Sequence, residues 1–155
     1  MSLALLDSGP LVLFVYGALR PDMIGRGKTK QHNLHVFGKL FSELDKCNGH
    51  ISLPNVLSEA SNHLGAGEQQ AVPNAAEFLA RFIVNLEETY QPSKDAVAIA
   101  EYMKIGLTDA AILSCAPRLV SQRIRVFTQD HHLYGRLCQC DVDCVNIMHW
   151  LTPRR

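Results

Sequence analysis

Four carboxylates occupy positions where the sequence suggests that buried segments begin, end or turn outward. Asp7 follows the apolar run "LALL", and Asp130 follows "RIRVFTQ". Asp109 stands at the start of an apolar run in "GLTDAAIL", and Glu59 lies off the apolar side of "ISLPNVLSEASNHLG". A cluster of carboxylates in one cleft stays ionised only when cations are near. Mg²⁺ or Mn²⁺ suits such oxygen ligands and can activate a water against a phosphodiester.

Each acid also has a simpler, structural interpretation. The helix dipole favours a carboxylate in the first turn of a helix, so Asp109 can serve as a helix-terminal charge. Glu59 can serve as a solvated side chain on the polar flank of its helix. Taken singly, these explanations are preferred, whereas the four acids together favour a common site.

Strands alternating with helices must position these acids. "LALL" predicts a buried strand, and "SGPLVLFVYGAL" predicts a buried helix with Ser8 as its cap and Pro10 in its first turn. "RIRVFTQD" and "CVNIMHW" predict two further strands, separated by the short helix "HHLYGRLC". This alternation predicts an α/β fold with a parallel sheet, in which ligands bind beyond the carboxyl ends of the strands. Asp7 and Asp130 both lie at such ends.

The middle of the chain carries helical patterns. One helix is predicted between Pro54 and Gly65, with an apolar stripe at Leu53, Val56, Leu57, Ala60 and Leu64. "NAAEFLARFIVNLEE" predicts a second, amphipathic helix. A third is predicted to begin at Ser93, to run to about Lys104 and to end at Gly106, with a short helix after it.

The four acidic segments, taken in order, resemble a known family. "LLDSGPLV", "LSEASNHL", "GLTDAAIL" and "VFTQD" are similar to the four acidic motifs of PIN-domain nucleases. The resemblance covers almost the whole chain and points to the small VapC-type toxins of bacterial toxin–antitoxin pairs. It implies a single PIN-like domain over residues 1–155. The implied fold is a three-layer α/β/α arrangement with a short central parallel sheet flanked by helices.

The resemblance also implies an activity, which is hydrolysis of RNA phosphodiesters by a metal-dependent endoribonuclease with a metal-activated water. By the same resemblance, Asp7, Glu59, Asp109 and Asp130 would hold Mg²⁺ or Mn²⁺. Thr128 would help to hold the metal-bound water. RNA would be the substrate, an antitoxin protein the partner, and a homodimer the expected assembly. Two other functions stay open, namely a PIN-like binding or scaffold module without activity and a nuclease that acts on structured DNA.

The chain departs from the family pattern in three places. Gly9 stands where the first motif usually has Asn or Ser. After Asp130 the letters "HHL" replace the further acid and the phenylalanine that often follow. The interval between the first two motifs is long, and its excess lies in residues 20–33. These departures bear on metal affinity and substrate more than on the fold.

Residues 20–33, "RPDMIGRGKTKQHN", predict a flexible basic loop. Its basic side chains can grip an RNA backbone, and a merely solvated loop is the alternative. The candidate contacts are Arg20, Arg26, Lys28 and Lys30. The letters "GRGKT" resemble a phosphate-binding loop, but Asp22 stands where that motif needs glycine and no strand leads into it. Nucleotide binding is therefore rejected.

Composition limits the remaining possibilities. A chain of 155 residues with 47% hydrophobic and 19% charged residues has an ordinary globular composition for one domain. Its formal net charge is zero, so any nucleic-acid binding must come from local patches. The apolar N-terminal stretch is interrupted by Asp7, Gly9 and Pro10, and no membrane segment is expected.

The five cysteines are odd in number and follow no secretory leader. Reduced thiols and a cytoplasmic location are therefore expected. Three of them, Cys138, Cys140 and Cys144, lack the spacing of a zinc finger and are interpreted as small buried residues beside a strand.

Overall fold

The computed structural model describes residues 2–151. Residues 2–151 contain five short strands: β1 Ala4–Leu6, β2 Ile51–Ser52, β3 Glu87–Glu88, β4 Arg125–Thr128 and β5 Cys144–Asn146. β1, β4 and β5 form a parallel sheet with β4 in the middle. β2 and β3 form a second parallel pair, and a bridge between Ala4 and His50 joins this pair to β1.

Helices connect these strands in the part of the chain that the structure describes. They are α1 Ser8–Leu19, α2 Leu34–Asp45, α3 Pro54–Leu64, α4 Ala75–Val84, α5 Ser93–Ala96, α6 Tyr102–Ser114, α7 Ala116–Ser121 and α8 His131–Gln139. The predicted α/β class with a parallel sheet is confirmed. None of the helices in residues 2–151 is both long enough and apolar enough to span a bilayer.

The central strands bury side chains on both faces, because successive side chains of a strand point to opposite sides. In β1, Ala4 and Leu6 join a core formed with α1 to α4, whereas Leu5 joins a second core formed with α6 to α8. In β4, Phe127 joins the first core and Val126 the second. Helices therefore cover both faces of the sheet, as is usual for parallel sheets.

The helix predicted from Ser93 to Lys104 is wrong, since α5 ends at Ala96 and α6 begins at Tyr102. The helix end predicted at Gly106 is confirmed: its φ of 83° and ψ of 178° are non-helical, and α6 consists of two helical segments that meet at a kink there. A positive φ of this kind favours glycine. The side chains that follow the kink, from Ala110 onward, are buried in the second core.

Residues 20–33 fold into two short 3₁₀ turns. The buried hydroxyl of Thr29 accepts a hydrogen bond from the Gly25 amide at 3.2 Å and donates one to the Arg26 carbonyl oxygen at 3.0 Å. Of the predicted RNA contacts, Arg20 pairs with Asp22 at 2.8 Å. The other three side chains are exposed: Arg26, Lys28 and Lys30.

Two helical glycines should respond in opposite ways to alanine. A Cβ at Gly17 in α1 would lie 2.0 Å from the Phe37 ring of α2, whereas one at Gly38 would meet nothing within 4 Å. We expect Gly17→Ala to destabilise the fold by about 1–3 kcal/mol through overpacking. Gly38→Ala should stabilise it by up to about 1 kcal/mol through helix propensity. Thermal melts of both variants test this, and equal gains would show that α1 and α2 do not pack as described.

Candidate functional site

Asp7 lies at the carboxyl end of β1 and is only 5% exposed. The register pairs Leu6 with Phe127 in β4, so Asp7 and Thr128 follow side by side. Asp7 Oδ2 accepts a hydrogen bond from the Thr128 hydroxyl at 2.9 Å, and Oδ1 accepts one from the Ser8 amide at 2.8 Å. Asp7 is thus the cap residue of α1, and the prediction that Ser8 is the cap is wrong.

The environment of Asp7 disfavours its charged form. Burial raises the pKa of the Asp7 carboxyl to about 6, and the nearby charges of Glu59 and Asp130 add to this rise. The hydrogen bonds from Ser8 and Thr128 lower the pKa and offset only part of it. The two hydrogen bonds therefore fix the position of the Asp7 carboxylate, while no ion pair among the described residues balances its charge.

Thr128 connects two of the acids. Its hydroxyl donates to Asp7 and accepts a hydrogen bond from the Asp130 amide at 3.1 Å. Asp130 caps α8, because its Oδ1 accepts from the Leu133 amide at 2.9 Å. Since the Thr128 proton points to Asp7, the visible role of Thr128 is to orient that carboxylate. Its expected action on a metal-bound water stays a prediction.

Glu59 comes from α3, which begins at Pro54 and ends before Gly65 as predicted. The predicted apolar stripe is buried throughout: Leu53, Val56, Leu57, Ala60 and Leu64. Glu59 lies off this stripe, and its Oε1 accepts a hydrogen bond from the Ser8 hydroxyl at 2.7 Å. Ser8 therefore ties α3 to the start of α1. This role of Ser8 was not predicted, although its position directly after Asp7 indicated that its side chain would lie near the acids.

Asp109 lies in the first turn after the kink at Gly106, where a helix-terminal charge was the simpler interpretation. A helix dipole by itself would favour the charged carboxylate and lower its pKa. Instead, the pKa of the Asp109 carboxyl is raised to about 8, first by burial and then by the charges of Asp7, Asp130 and Glu59. Burial and repulsion outweigh the dipole here.

The four carboxylates thus come from four separate elements and repel one another within one region. In the described part of the chain, the ion pairs of Lys and Arg are made with other acids, and none includes these four. Carboxylate oxygens suit a hard divalent cation. However, no three His, Cys, Asp or Glu side chains in residues 2–151 are placed so that they can hold one metal ion. The acids would have to move closer together to share a cation.

The side chain of Gln129 explains why a glycine occupies position 9. A Cβ at Gly9 would lie 2.3 Å from Gln129 Cδ, so Gln129 fills the space beside this glycine. Gln129 Oε1 accepts a hydrogen bond from Nε2 of His32 at 2.8 Å, and His32 is only 5% exposed. This contact ties residues 20–33 to the segment between Thr128 and Asp130. Sequence analysis did not find it.

The two histidines after Asp130 and the two cysteines near the end of α8 are exposed. His131 and His132 are exposed at the start of α8, with ring centroids 4.1 Å apart. All five cysteine thiols are free. The prediction of small buried residues is wrong for Cys138 and Cys140, which are exposed because α8 turns Leu133 and Leu137 toward the core.

A cleft of about 620 Å³ adjoins the acidic region at Glu59. The polar side of α3 and the segment before α5 form its walls. We call it the Tyr90 cleft, after a lining that includes Asn55, Ser58, Glu59, Asn62, Tyr90 and Gln91.

Comparison of the chain with protein-family models and with curated proteins finds no match. The interpretation of the site therefore depends on its residues and their arrangement. The chain brings the four acids and Thr128 into one region, and the His32–Gln129 contact holds the basic segment beside it.

The raised pKa of Asp109 sets a pH dependence for the stability of the metal-free protein. The folded carboxyl has a pKa of about 8 against an ordinary 3.8, so the folded state binds its proton more tightly than the unfolded state. Stability should therefore fall as pH rises through this interval, and Asp109→Asn should remove part of that loss. Thermal melts with chelator, over about pH 4 to 9, should show the variant gaining most on the wild type at the alkaline end.

The exposed Asp45→Asn is the matched control and should follow the wild-type profile. If Asp109→Asn melts below the wild type at every pH with an unchanged slope, then Asp109 is a helix-terminal charge and the proposed repulsion is absent.

Proposed function

We propose that this chain is a metal-dependent endoribonuclease of PIN type that cleaves RNA phosphodiesters by hydrolysis. The observation that carries the proposal is the gathering of Asp7, Glu59, Asp109 and Asp130 without a basic partner among residues 2–151. Asp7 is buried and the other three acids are half-buried, and carboxylates that repel one another in this way lower stability. A bound divalent cation would supply the positive charge that these four side chains lack.

The residues of the chain divide the work of such a site. Ser8 orients two acids at once, because its amide binds Asp7 and its hydroxyl binds Glu59. Thr128 fixes the other oxygen of Asp7. A bound Mg²⁺ or Mn²⁺ would supply a water of lowered pKa and positive charge beside the phosphate. Asp109 holds a proton near neutral pH in the metal-free protein, so metal binding should release that proton and strengthen as pH rises.

RNA as the substrate is supported by the position of the basic segment. The contact between His32 and Gln129 holds residues 20–33 next to the acids, and Arg26, Lys28 and Lys30 are exposed on it. Positive charge at this place compensates for the repulsion between an acidic site and a polyanion. The antitoxin partner, the homodimer and the cytoplasmic location belong to the same proposal and rest on the resemblance and the cysteine count.

A binding module without activity is the second candidate. It is favoured by one observation, which is that no three acidic, His or Cys side chains in residues 2–151 are arranged around a common metal position. The two candidates differ in whether Mn²⁺ binds at this site.

The proposed metal site is tested by thermal melts with and without Mn²⁺ together with an RNA cleavage assay. Mn²⁺ should raise the melting temperature of the wild type, and Asp109→Asn should lose that rise. Cleavage by the variant should fall by roughly two orders of magnitude or more, because metal activation is worth several kcal/mol. Glu59→Gln keeps an oxygen for Ser8 but removes the charge, and it should behave in the same way.

Asp45→Asn serves again as the control and should retain both responses. No Mn²⁺ effect on the wild type, together with no cleavage, would support the inactive module instead. Cleavage of a DNA hairpin but not of RNA would contradict the choice of RNA.

The basic segment is tested by its salt dependence. Replacing Arg26, Lys28 and Lys30 with Ala should weaken binding of single-stranded RNA and reduce the slope of log K against log salt by about 0.7 per lost contact. Melting should hardly change, since the three side chains are exposed. An unchanged slope would mean that these residues do not contact the phosphates.

A further inference from the structure

The Tyr90 cleft is large enough to hold a molecule and opens next to the acids. Its volume of about 620 Å³ falls within the range of about 300–1,000 Å³ that is usual for small-molecule sites. Glu59 belongs to both places, since its side chain lines the cleft and its Oε1 is held by Ser8 of the acidic region. A ligand in the cleft would therefore lie adjacent to the proposed reaction centre.

The charge of the cleft selects against phosphate. Among the described residues that line it, Glu59 alone carries a charge at neutral pH, and Lys, Arg and His are missing. A phosphate group in proteins is usually bound by cations or by directed amide hydrogens. Next to Glu59 it would meet repulsion. The cleft is suited instead to a neutral group with hydrogen-bonding edges.

The polar face of α3 supplies such hydrogen bonds. Asn55, Ser58 and Asn62 are spaced by three and four residues, so they lie along one side of the helix and line the cleft together. Each amide offers donors as well as an acceptor. Gln91 adds a further amide to the lining. Its Oε1 accepts a hydrogen bond from the Cys115 thiol at 3.6 Å, so its Nε2 points away from Cys115.

An aromatic ring completes the lining. Tyr90 is 69% exposed, so most of its ring is accessible from the solvent. Its hydroxyl donates to Glu88 Oε1 at 2.8 Å, and this contact orients the ring. Exposed aromatic faces are the platforms on which single-stranded nucleic acids stack their bases.

We infer that the Tyr90 cleft binds a nucleobase of single-stranded RNA, with the base stacked on Tyr90 and its edge bonded to the amides of Asn55, Asn62 and Gln91. The place of this base beside a scissile phosphate rests on the function proposed above. Base binding itself does not, because the cleft and its lining are separate from the four acids apart from Glu59.

Binding can be measured without cleavage. Fluorescein-labelled hexaribonucleotides of A, C or U are titrated in chelator against the wild type, and fluorescence anisotropy reports binding. An abasic hexamer with the same phosphates is the matched ligand. The wild type should bind at least one base-containing hexamer about tenfold or more tightly than the abasic one, as expected for stacking on a single aromatic ring.

Tyr90→Ala should lower the affinity for that hexamer to the abasic level, whereas Tyr90→Phe should keep most of the preference because it keeps the ring. Phe41→Ala is the matched protein control, since Phe41 is a 55% exposed aromatic on α2 outside the cleft. It should bind like the wild type. Equal affinity for intact and abasic hexamers, no binding of either, or an unchanged preference in Tyr90→Ala overturns the inference.

The two proposals fail in different ways. If Mn²⁺ binding and cleavage are present but Tyr90→Ala keeps the base preference, the nuclease stands and the base site is wrong. If neither Mn²⁺ binding nor cleavage is found but the base preference is lost in Tyr90→Ala, the cleft is a base-binding site in a protein that does not cleave.

Discussion

Repulsion between carboxylates at the end of a parallel sheet is the constraint on which the site depends. Asp7 is almost completely buried, and Asp109 has its pKa raised to about 8 by burial and by the other three acids. Such groups would turn toward water if they were free to do so. They stay because hydrogen bonds from Ser8 and Thr128 fix Asp7, and because both cores hold the elements beneath them.

The layered fold explains how acids distant in the sequence come together. β1 and β4 are neighbours and run in the same direction, so Asp7 and Asp130 both lie beyond the carboxyl ends of the strands. α3 brings Glu59 with its buried Leu57 and Ala60 anchored mainly in the first core. The second half of α6 is anchored in the opposite core and brings Asp109. The site thus lies at the carboxyl ends of the strands, between the helices that cover the two faces of the sheet.

Periodic features of this fold were predictable from the sequence. The apolar run before Asp7, the alternation of elements and the α3 boundaries at Pro54 and Gly65 all agree with the structure. β2 and β3 were missed because two residues are too few to develop a period. The division between α5 and α6 was missed as well, since the turns at residues 97–101 contain neither glycine nor proline to signal a break.

Contacts between distant side chains were also missed, and for a different reason. Ser8 meets Glu59 across 51 positions, and His32 meets Gln129 across 97. Spacing rules describe neighbours within one helix or strand and are silent on such pairs. The order of the acids could suggest a site, but only the packed chain could show which side chains orient them.

Gly9, His32 and Gln129 are linked by direct contacts, so a change at one of them should require changes at the others. A side chain at position 9 would displace Gln129, and the displaced amide would leave the buried imidazole of His32 without its partner. Related chains that carry a polar residue at position 9 should therefore differ at the other two positions as well. A basic segment transplanted from such a chain would lack its anchor here unless all three residues were exchanged together.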